Sequence, residues 1–348
     1  MNICFIEGDM SRRGGTEHMT AWLANRLANK HDVSIISLHM QGTVFYKLAS
    51  NIAVYPLSAT TVLRQCKEIR NILEHVNTNV VICVDIGTSY FGVFAAKALK
   101  IPIITWEHSN FYNNWWSRSY PYIRHFAARK SDAMVVLTDR DKHNYESNIK
   151  KCVPVSVIAN PATKGVYSYD GVSKTILSAG LLSRIKRFDR IVPIGKTVFS
   201  RYPDWKWVIC GNGPERENLE RAVKEAGLQD NILFRGSVSD MDTEYAGAAM
   251  YVLTSEMEGL PMVLLEAKSH GLPIVSFDIE TGPSDIVRDG VNGYLVKPGD
   301  IDAMAGKICE LIGNDALRQK FSENAALDME KFDEERIVKQ WEALMRSL

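Results

Sequence analysis

The chain has 348 residues, 46% hydrophobic and 24% charged, with 41 Lys and Arg against 41 Asp and Glu. That length and balance suit two soluble globular domains, each able to bury its own core. They exclude a membrane-spanning protein, because no run reaches the ~18 apolar residues that a span needs. The start, MNICFIEGDM, lacks the basic segment and long apolar core of a secretory leader. Six cysteines, at 4, 66, 83, 152, 210 and 309, form no C-x-x-C pair, so they read as reduced, buried thiols of a cytoplasmic protein rather than metal ligands. The charge is uneven: residues 1–164 hold 19 Lys and Arg against 12 Asp and Glu, and the remainder 22 against 29. A basic first half suits an anionic surface or a phosphate-bearing partner.

In chain order, the first half alternates strand and helix periods. Residues 2–6 predict a strand, Gly14–Gly15 a glycine loop, and 16–29 a helix with Met19, Trp22, Leu23 and Leu27 on one face. Strands follow at 33–38, 52–57, 80–84, 101–105, 133–137 and 155–158, with helices at 62–76 and 90–99. Repeated β-α units imply a covered parallel sheet. Residues 162–173 (ATKGVYSYDGVS) are polar and aperiodic, a natural linker. The alternation restarts with strands at 175–179, 205–210 and 231–235 and helices at 188–201 and 215–226, and helices at 301–312, 316–329 and 334–348 close the chain. The reading is α/β, with domains at 1–164 and 174–333.

One stretch organises the second half, YVLTSEMEGLPMVLLEAKSHGLPIV at 251–275. A short apolar strand, a polar glycine-ended loop and a helix opened by Pro261 follow one another. Such a turn lies at the carboxyl edge of a parallel sheet, where doubly wound folds bind ligands. Free amides of Leu260, Met262 and Val263 at the helix start would meet acceptor oxygens. Glu258 in the loop and Glu266 in the helix could grip hydroxyl groups, which sugars and riboses supply.

The Glu258-x7-Glu266 pair, with EGLPMVLLEAKSHGLPIVSFDIETGPSDIVRDGVNGYLV around it, resembles the retaining family-4 glycosyltransferases. The resemblance implies a GT-B fold of two facing Rossmann-like domains, the first on the acceptor side and the second binding a nucleotide-sugar. It also implies that the last helix returns to the first domain, with Ile337, Trp341 and Leu344 as its apolar face. Site roles follow. Glu266 would bind the ribose, Lys186 in SAGLLSRIKRFD the donor diphosphate, and Glu258 with the amides of Gly259 onward the sugar. Gly211 in CGNGPE would shape the nucleotide side, and 234–240 would receive the base. Where the family usually has an arginine this chain has Leu181, and Arg184, as a donor-binding residue, or Arg187 would take over its charge on the diphosphate. In the first domain, Gly14–Gly15 in GGTE and His108 in WEHSN would face the donor across the cleft.

Two stretches carry other chemistry. Asp240 and Asp242 form a D-x-D at a helix start, where capping is the ordinary role of Asp; no metal and no cofactor is expected. Residues 111–130 hold seven aromatics with Arg118, Arg124, Arg129 and Lys130, a mixture suited to a membrane headgroup zone or a lipid-phosphate acceptor. Trp115, Trp116, Arg118 and Arg124 are the candidate contacts; no base-reading motif points to nucleic acid.

The combined expectation is a metal-independent hexosyltransferase moving a sugar from a nucleotide-sugar, UDP before GDP, to a glycan or lipid-linked glycan in bacterial capsule, O-antigen or exopolysaccharide assembly. It would be cytoplasmic and peripheral on the anionic inner leaflet. The alternatives are a GT-B nucleotide-sugar epimerase, against which the paired glutamates speak, and a non-catalytic nucleotide-sugar-binding protein, which rests on Leu181. A dinucleotide oxidoreductase lacks its G-x-G-x-x-G.

Overall fold

The structure, a computed structural model, describes residues 1–114, 118–162, 169 and 171–348; Trp115, Trp116 and most of the predicted linker lie outside them. The chain divides into two compact units, Met1–Asn160 with Glu334–Leu348, and Pro161–Asp333.

The first unit runs β1 (Asn2–Glu7), α1 (Gly15–Leu27), β2 (Asp32–Ser37), β3 (Ala53–Pro56), α2 (Val62–His75), β4 (Val80–Val84), α3 (Ile86–Ala96), β5 (Ile103–Trp106), α4 (Tyr120–Lys130), β6 (Ala133–Val136), α5 (Asp139–Asn148) and β7 (Val155–Val157). Its seven strands lie in the order β3-β2-β1-β4-β5-β6-β7. Each strand pairs parallel with its neighbours. Strands covered on both faces must be apolar throughout, and β4, VVICV, is buried at every residue. The order reverses between β1 and β4, which opens a crevice at the carboxyl edge beside Glu7 and Asp85.

The second unit runs β8 (Thr175–Ala179), α6 (Ile191–Arg201), β9 (Lys206–Cys210), α7 (Arg216–Glu225), β10 (Ile232–Gly236), α8 (Met241–Ala246), β11 (Met250–Leu253), α9 (Met262–Ser269), β12 (Ile274–Phe277), α10 (Pro283–Ile286), β13 (Gly293–Val296), α11 (Ile301–Ile312) and α12 (Asp315–Glu323). Its parallel sheet has the order β10-β9-β8-β11-β12-β13, reversing between β8 and β11. Trp207, Ile209, Phe277, Met304 and Phe321 belong to its core. The last helix, α13 (Glu334–Arg346), belongs to the first unit. Trp341 packs edge-on against Trp106 at 4.9 Å, Glu334 accepts from Trp22 at 3.3 Å and pairs with Arg26, and Lys30 pairs with Glu342 at 3.3 Å. Met345, not Leu344, completes the buried face with Ile337 and Trp341.

The elements depart from the sequence reading where a local bond outweighs periodicity. Helix α3 starts at Ile86, four residues early, because the Asp85 carboxylate accepts the Ile86 N–H at 2.6 Å. Helix α5, DRDKHNYESN, has almost no apolar period; Thr138 caps it through the Asp141 amide at 3.1 Å, and Tyr145 alone among its apolar residues is buried. The helix predicted over 316–329 stops at Glu323 and continues as two 3₁₀ turns, with Asp328 at φ +63° ending the helical path. Among the described residues no helix is long and apolar enough to cross a membrane.

Trp341→Ala removes a fully buried indole, a loss of about 3–5 kcal/mol. Native-state hydrogen exchange should show β4 and β5 losing protection while β11 and β12 keep theirs.

Candidate functional site

The loop between β11 and α9 is held by its own polar residues. Glu258 Oε1 accepts from Ser255 at 2.6 Å, and the Glu258 carbonyl accepts from the Thr281 hydroxyl at 2.6 Å. Lys186 Nζ reaches both carboxylate oxygens of Glu258, at 2.6 and 2.7 Å. The Glu258 side chain is 9% exposed and that of Lys186 29%, so the pair neutralises two charges that would be costly to bury alone. Pro261 sits at the N-cap of α9 rather than in its first turn, and Met262 and Val263 open the helix. Their amides, as the first two of an α-helix, have no partner within it. Leu260 is buried, and Gly259 lies half-buried beside Gly282.

Close backbone approach requires glycine at two places here. Gly282, at φ +99°, would drive a Cβ into the Pro261 ring and the Gly259 carbonyl. Gly211, at φ +139°, would drive one into the Gly180 carbonyl. The loop after β8 is thereby stitched to the loop after β9: Gly180 N–H donates to Cys210 O and Leu182 N–H to Asn212 O, both at 2.9 Å. The 3₁₀ turn carrying Lys186 is fastened to the β11 loop by Thr254 Oγ1 donating to Lys186 O at 3.1 Å and Glu256 N–H to Ile185 O at 2.9 Å.

The cations beside Lys186 have other partners. Arg184, 79% exposed, pairs with Glu215 at 3.2 Å. Arg187 pairs with Glu256 at 2.6 Å and with Asp189 at 3.0 Å. Leu181 is 60% exposed. Thus neither arginine stands with Lys186 on Glu258.

Glu266 faces out of α9 half-buried. Tyr245 donates to its Oε2 at 2.7 Å, and burial raises its pKa above the usual carboxylate value. Asp240 caps α8, accepting from the Thr243 amide at 3.3 Å and hydroxyl at 2.6 Å, while Asp242 faces His270 Nε2 at 3.2 Å. The two acids of the D-x-D therefore have separate local partners.

In the first unit, Gly14 is the N-cap of α1 and Gly15 its first residue. A Cβ at Gly14 would collide with the Glu17 carboxylate; Glu17 is 2% exposed and accepts from Thr16 at 2.9 Å. Helix α1 thus opens with a carboxylate of its own folded over Gly14, while the space beside Gly15 is open. The His108 ring lies tilted at 47° against Trp106, with centroids 4.2 Å apart. Its Nε2 is buried without a partner, and burial pushes its pKa down to about 3.

The carboxyl edge of the first sheet gathers acids at the ends of β1, β4 and β5. Glu7, 3% exposed, accepts from Thr20 at 2.7 Å and Gly8 N–H at 2.8 Å, and burial raises it to about 8. Glu107, wholly buried, accepts from Tyr145 at 2.7 Å and Ser109 N–H at 2.9 Å; burial, then Asp85 and Asp141, raise it to about 8. Asp85 accepts from Tyr120 at 2.8 Å and holds φ +67°, ψ 155°, a conformation that glycine alone adopts easily. Arg124 is the cation of this cluster. It is 2% exposed, flanked by the Phe111 and Tyr120 rings at 5.4 and 5.6 Å, and donates to Asn113 O at 2.5 Å and Asn114 at 3.0 Å. That corrects its reading as an acceptor or membrane contact: the carbonyls it donates to, the rings it lies between and the charge of nearby acids keep it inside. Arg118 is exposed.

Two family models match the chain in tandem, Glycosyltransferase Family 4 over residues 13–162 and Glycosyl transferases group 1 over residues 163–328. The chain belongs to the family-4 glycosyltransferases. It is similar to an uncharacterized glycosyltransferase of Haemophilus influenzae, 30% identical across 99% of both chains. It is similar also to the GalNAc-alpha-(1->4)-GalNAc-alpha-(1->3)-diNAcBac-PP-undecaprenol alpha-1,4-N-acetyl-D-galactosaminyltransferase of Campylobacter jejuni, 30% identical over 98% of this chain and 97% of that one. Among solved structures, HepE of Anabaena in complex with UDP-glucose superimposes with a TM-score of 0.85 over 100% of both chains, at 17% identity. That likeness shows the fold, which is GT-B.

This glycosyltransferase thus brings Lys186, Glu258 and the start of α9 together, with Glu266 on the same helix; Gly14, Gly15 and His108 belong to its other unit. Ser255, Thr281 and Tyr245, which hold the two glutamates, escaped the sequence reading. Ser255 and Thr281 flank readable motifs, but Tyr245 is one aromatic among 13 tyrosines and has no signal of its own.

The buried acids set a pH dependence. Folded Glu7 and Glu107 hold protons up to about pH 8 that the unfolded chain releases near 4.5, so stability falls as pH rises between those values. His108 acts oppositely, and only below its unfolded value of 6.5. Chemical denaturation should therefore show the first unit weakening from pH 6.5 to 8, and Glu107→Gln should flatten that slope.

Proposed function

We propose that this enzyme is a retaining, metal-independent glycosyltransferase that moves a sugar from a UDP-sugar to a glycan or lipid-linked glycan acceptor in bacterial surface polysaccharide synthesis. The observation that carries the reading is the Lys186–Glu258 pair beside the two free amides that open α9. Breaking the bond from the sugar C1 to the diphosphate oxygen leaves negative charge on the departing UDP, and a cation with helix-start amides stabilises that charge as it develops. When a phosphate takes Lys186, sugar hydroxyls can replace the ammonium as donors to Glu258. The exchange keeps a nearly buried carboxylate hydrogen-bonded throughout.

In this reading Glu266 binds the ribose, and Gly211 with its neighbours lets the backbone approach the nucleotide. The acceptor oxygen bonds to C1 on the face from which UDP leaves, with no protein nucleophile. The protein supplies position and charge. Arg184 and Arg187, already paired with acids, are assigned no diphosphate role, so Lys186 carries it without a second arginine. In the first unit, Gly14, Gly15 and His108 are proposed as substrate contacts; the unpartnered His108 Nε2 is the polar atom that supports this. The undecaprenol-linked chain in the name of the Campylobacter relative supports a lipid-linked acceptor. Exposed Arg118, Tyr122, Arg129 and Lys130, on and before α4, support contact with an anionic membrane face.

The test is transfer or donor hydrolysis with a panel of UDP- and GDP-sugars and detergent-extracted lipid-linked sugars. UDP release should appear with one donor, survive EDTA, and fall by about 10²–10³-fold in Lys186→Ala and Glu258→Ala. Unchanged activity in both variants would move the site elsewhere, and binding without turnover would favour a nucleotide-sugar-binding protein. Sedimentation with vesicles should be stronger for phosphatidylglycerol than for phosphatidylcholine and should weaken in Arg118→Glu/Arg129→Glu.

A further inference from the structure

Half of the Glu266 carboxylate is already engaged. Its Oε2 accepts the Tyr245 hydroxyl hydrogen at 2.7 Å, whereas among the described residues no hydrogen bond is made to Oε1. Tyr245 is 1% exposed, so its phenol has little freedom to turn away. Its ring stacks on His270 at 5.1 Å and 23°. His270 Nδ1 lies 2.9 Å from the Glu266 carbonyl oxygen, and its Nε2 is 3.2 Å from Asp242 Oδ1, an ion-pair distance without a hydrogen bond. Tyr245 and Asp242 both come from α8, which Asp240 caps. One short helix thus holds α9 through a phenol on the glutamate and sets a carboxylate charge beside the histidine one turn later.

We propose that Tyr245 is a positioning residue for the donor's ribose, holding Glu266 by Oε2 so that Oε1 is presented to the two vicinal ribose hydroxyls. The inference rests on the reading of Glu266 as the ribose ligand. A carboxylate on a long side chain has several rotamers, and fixing one in advance removes an ordering cost from binding. The phenol can only donate to an acceptor oxygen here, which favours the ionised glutamate that a ribose diol also needs. Burial raises the Glu266 pKa, Tyr245 and His270 lower it, and Asp242 raises it; Tyr251 also faces this carboxyl group. Loss of the phenol therefore leaves a carboxyl that protonates at higher pH, and loss of the Asp242 charge leaves one that protonates at lower pH. The second acid of the D-x-D acts on Glu266 through its charge.

Calorimetric titration of the full chain with UDP and with 2′,3′-dideoxy-UDP, across pH 5 to 8, tests this. Wild type should prefer UDP. Tyr245→Phe should weaken UDP by about tenfold, the worth of one hydrogen bond to a charged group, leave dideoxy-UDP unchanged, and move the acid-side loss of UDP binding to higher pH. Asp242→Asn should move that loss to lower pH. Equal weakening of both nucleotides in Tyr245→Phe, or a pH profile that stays in place, would overturn the proposal. Should Tyr245→Phe fail to fold, the exposed Asp242→Asn decides alone, an unmoved profile counting against it. Glu266→Gln separates the two layers: if it keeps the wild-type preference for UDP, the ribose reading itself fails, whatever Tyr245→Phe does.

Discussion

Backbone meets backbone at the carboxyl edge of the second sheet with no room for a side chain between. Gly211 lies against the Gly180 carbonyl, Gly213 against Leu182, and Gly282 against Pro261 and the Gly259 carbonyl. Because these contacts are between main chains, the loops they join cannot slide past one another as side chains can. Hydrogen bonds from Thr254 and Glu256 then fix the 3₁₀ turn after β8 to the loop after β11, and Lys186 meets Glu258 with both oxygens in reach. Helix α10 begins where Gly282 allows the chain to turn, and Thr281 just before it anchors the Glu258 carbonyl. A methyl group at any of these glycines would spread the loops and separate the charges.

The two units handle charge differently at the same topological place. The second pairs opposite charges, Lys186 with Glu258 and Arg187 with Glu256, which leaves cation and carboxylate available to exchange partners with a ligand. The first gathers Glu7, Asp85 and Glu107 under cover, raises their pKa values by burial, and offers Arg124 as the buried cation. Burial in the first unit favours the uncharged forms of His108, Glu7, Asp85 and Glu107.

Much of this was legible in the chain itself. The parallel sheets follow from apolar runs such as VVICV and YVLT separated by helical periods, and the site loop follows from EGLPMVLLE, where a strand ends, a glycine turns and a proline precedes a helix. Lys186, Glu258 and Glu266 are spaced by motif, so pattern alone singles them out. Other features had no pattern to show. Helix α5 is polar nearly throughout, and its start depends on Thr138 reaching the Asp141 amide. Arg124 looks like a surface cation in a basic, aromatic stretch, and its burial depends on acids 17 and 39 positions before it and 17 after it in the chain.

What the sequence by itself determined is what local physics decides: which segments are buried on both faces, where glycine and proline turn the chain, and which charged residues sit in those turns. Tertiary structure alone decided who partners whom. Tyr245 holds Glu266 from 21 residues away, Lys186 meets Glu258 across 72, and Trp341 returns to Trp106 from the far end of the chain. The reason is that ion pairs, hydrogen bonds and pKa values are set by distance and by exclusion of water. Both are properties of the packed molecule that periodicity along the chain does not encode.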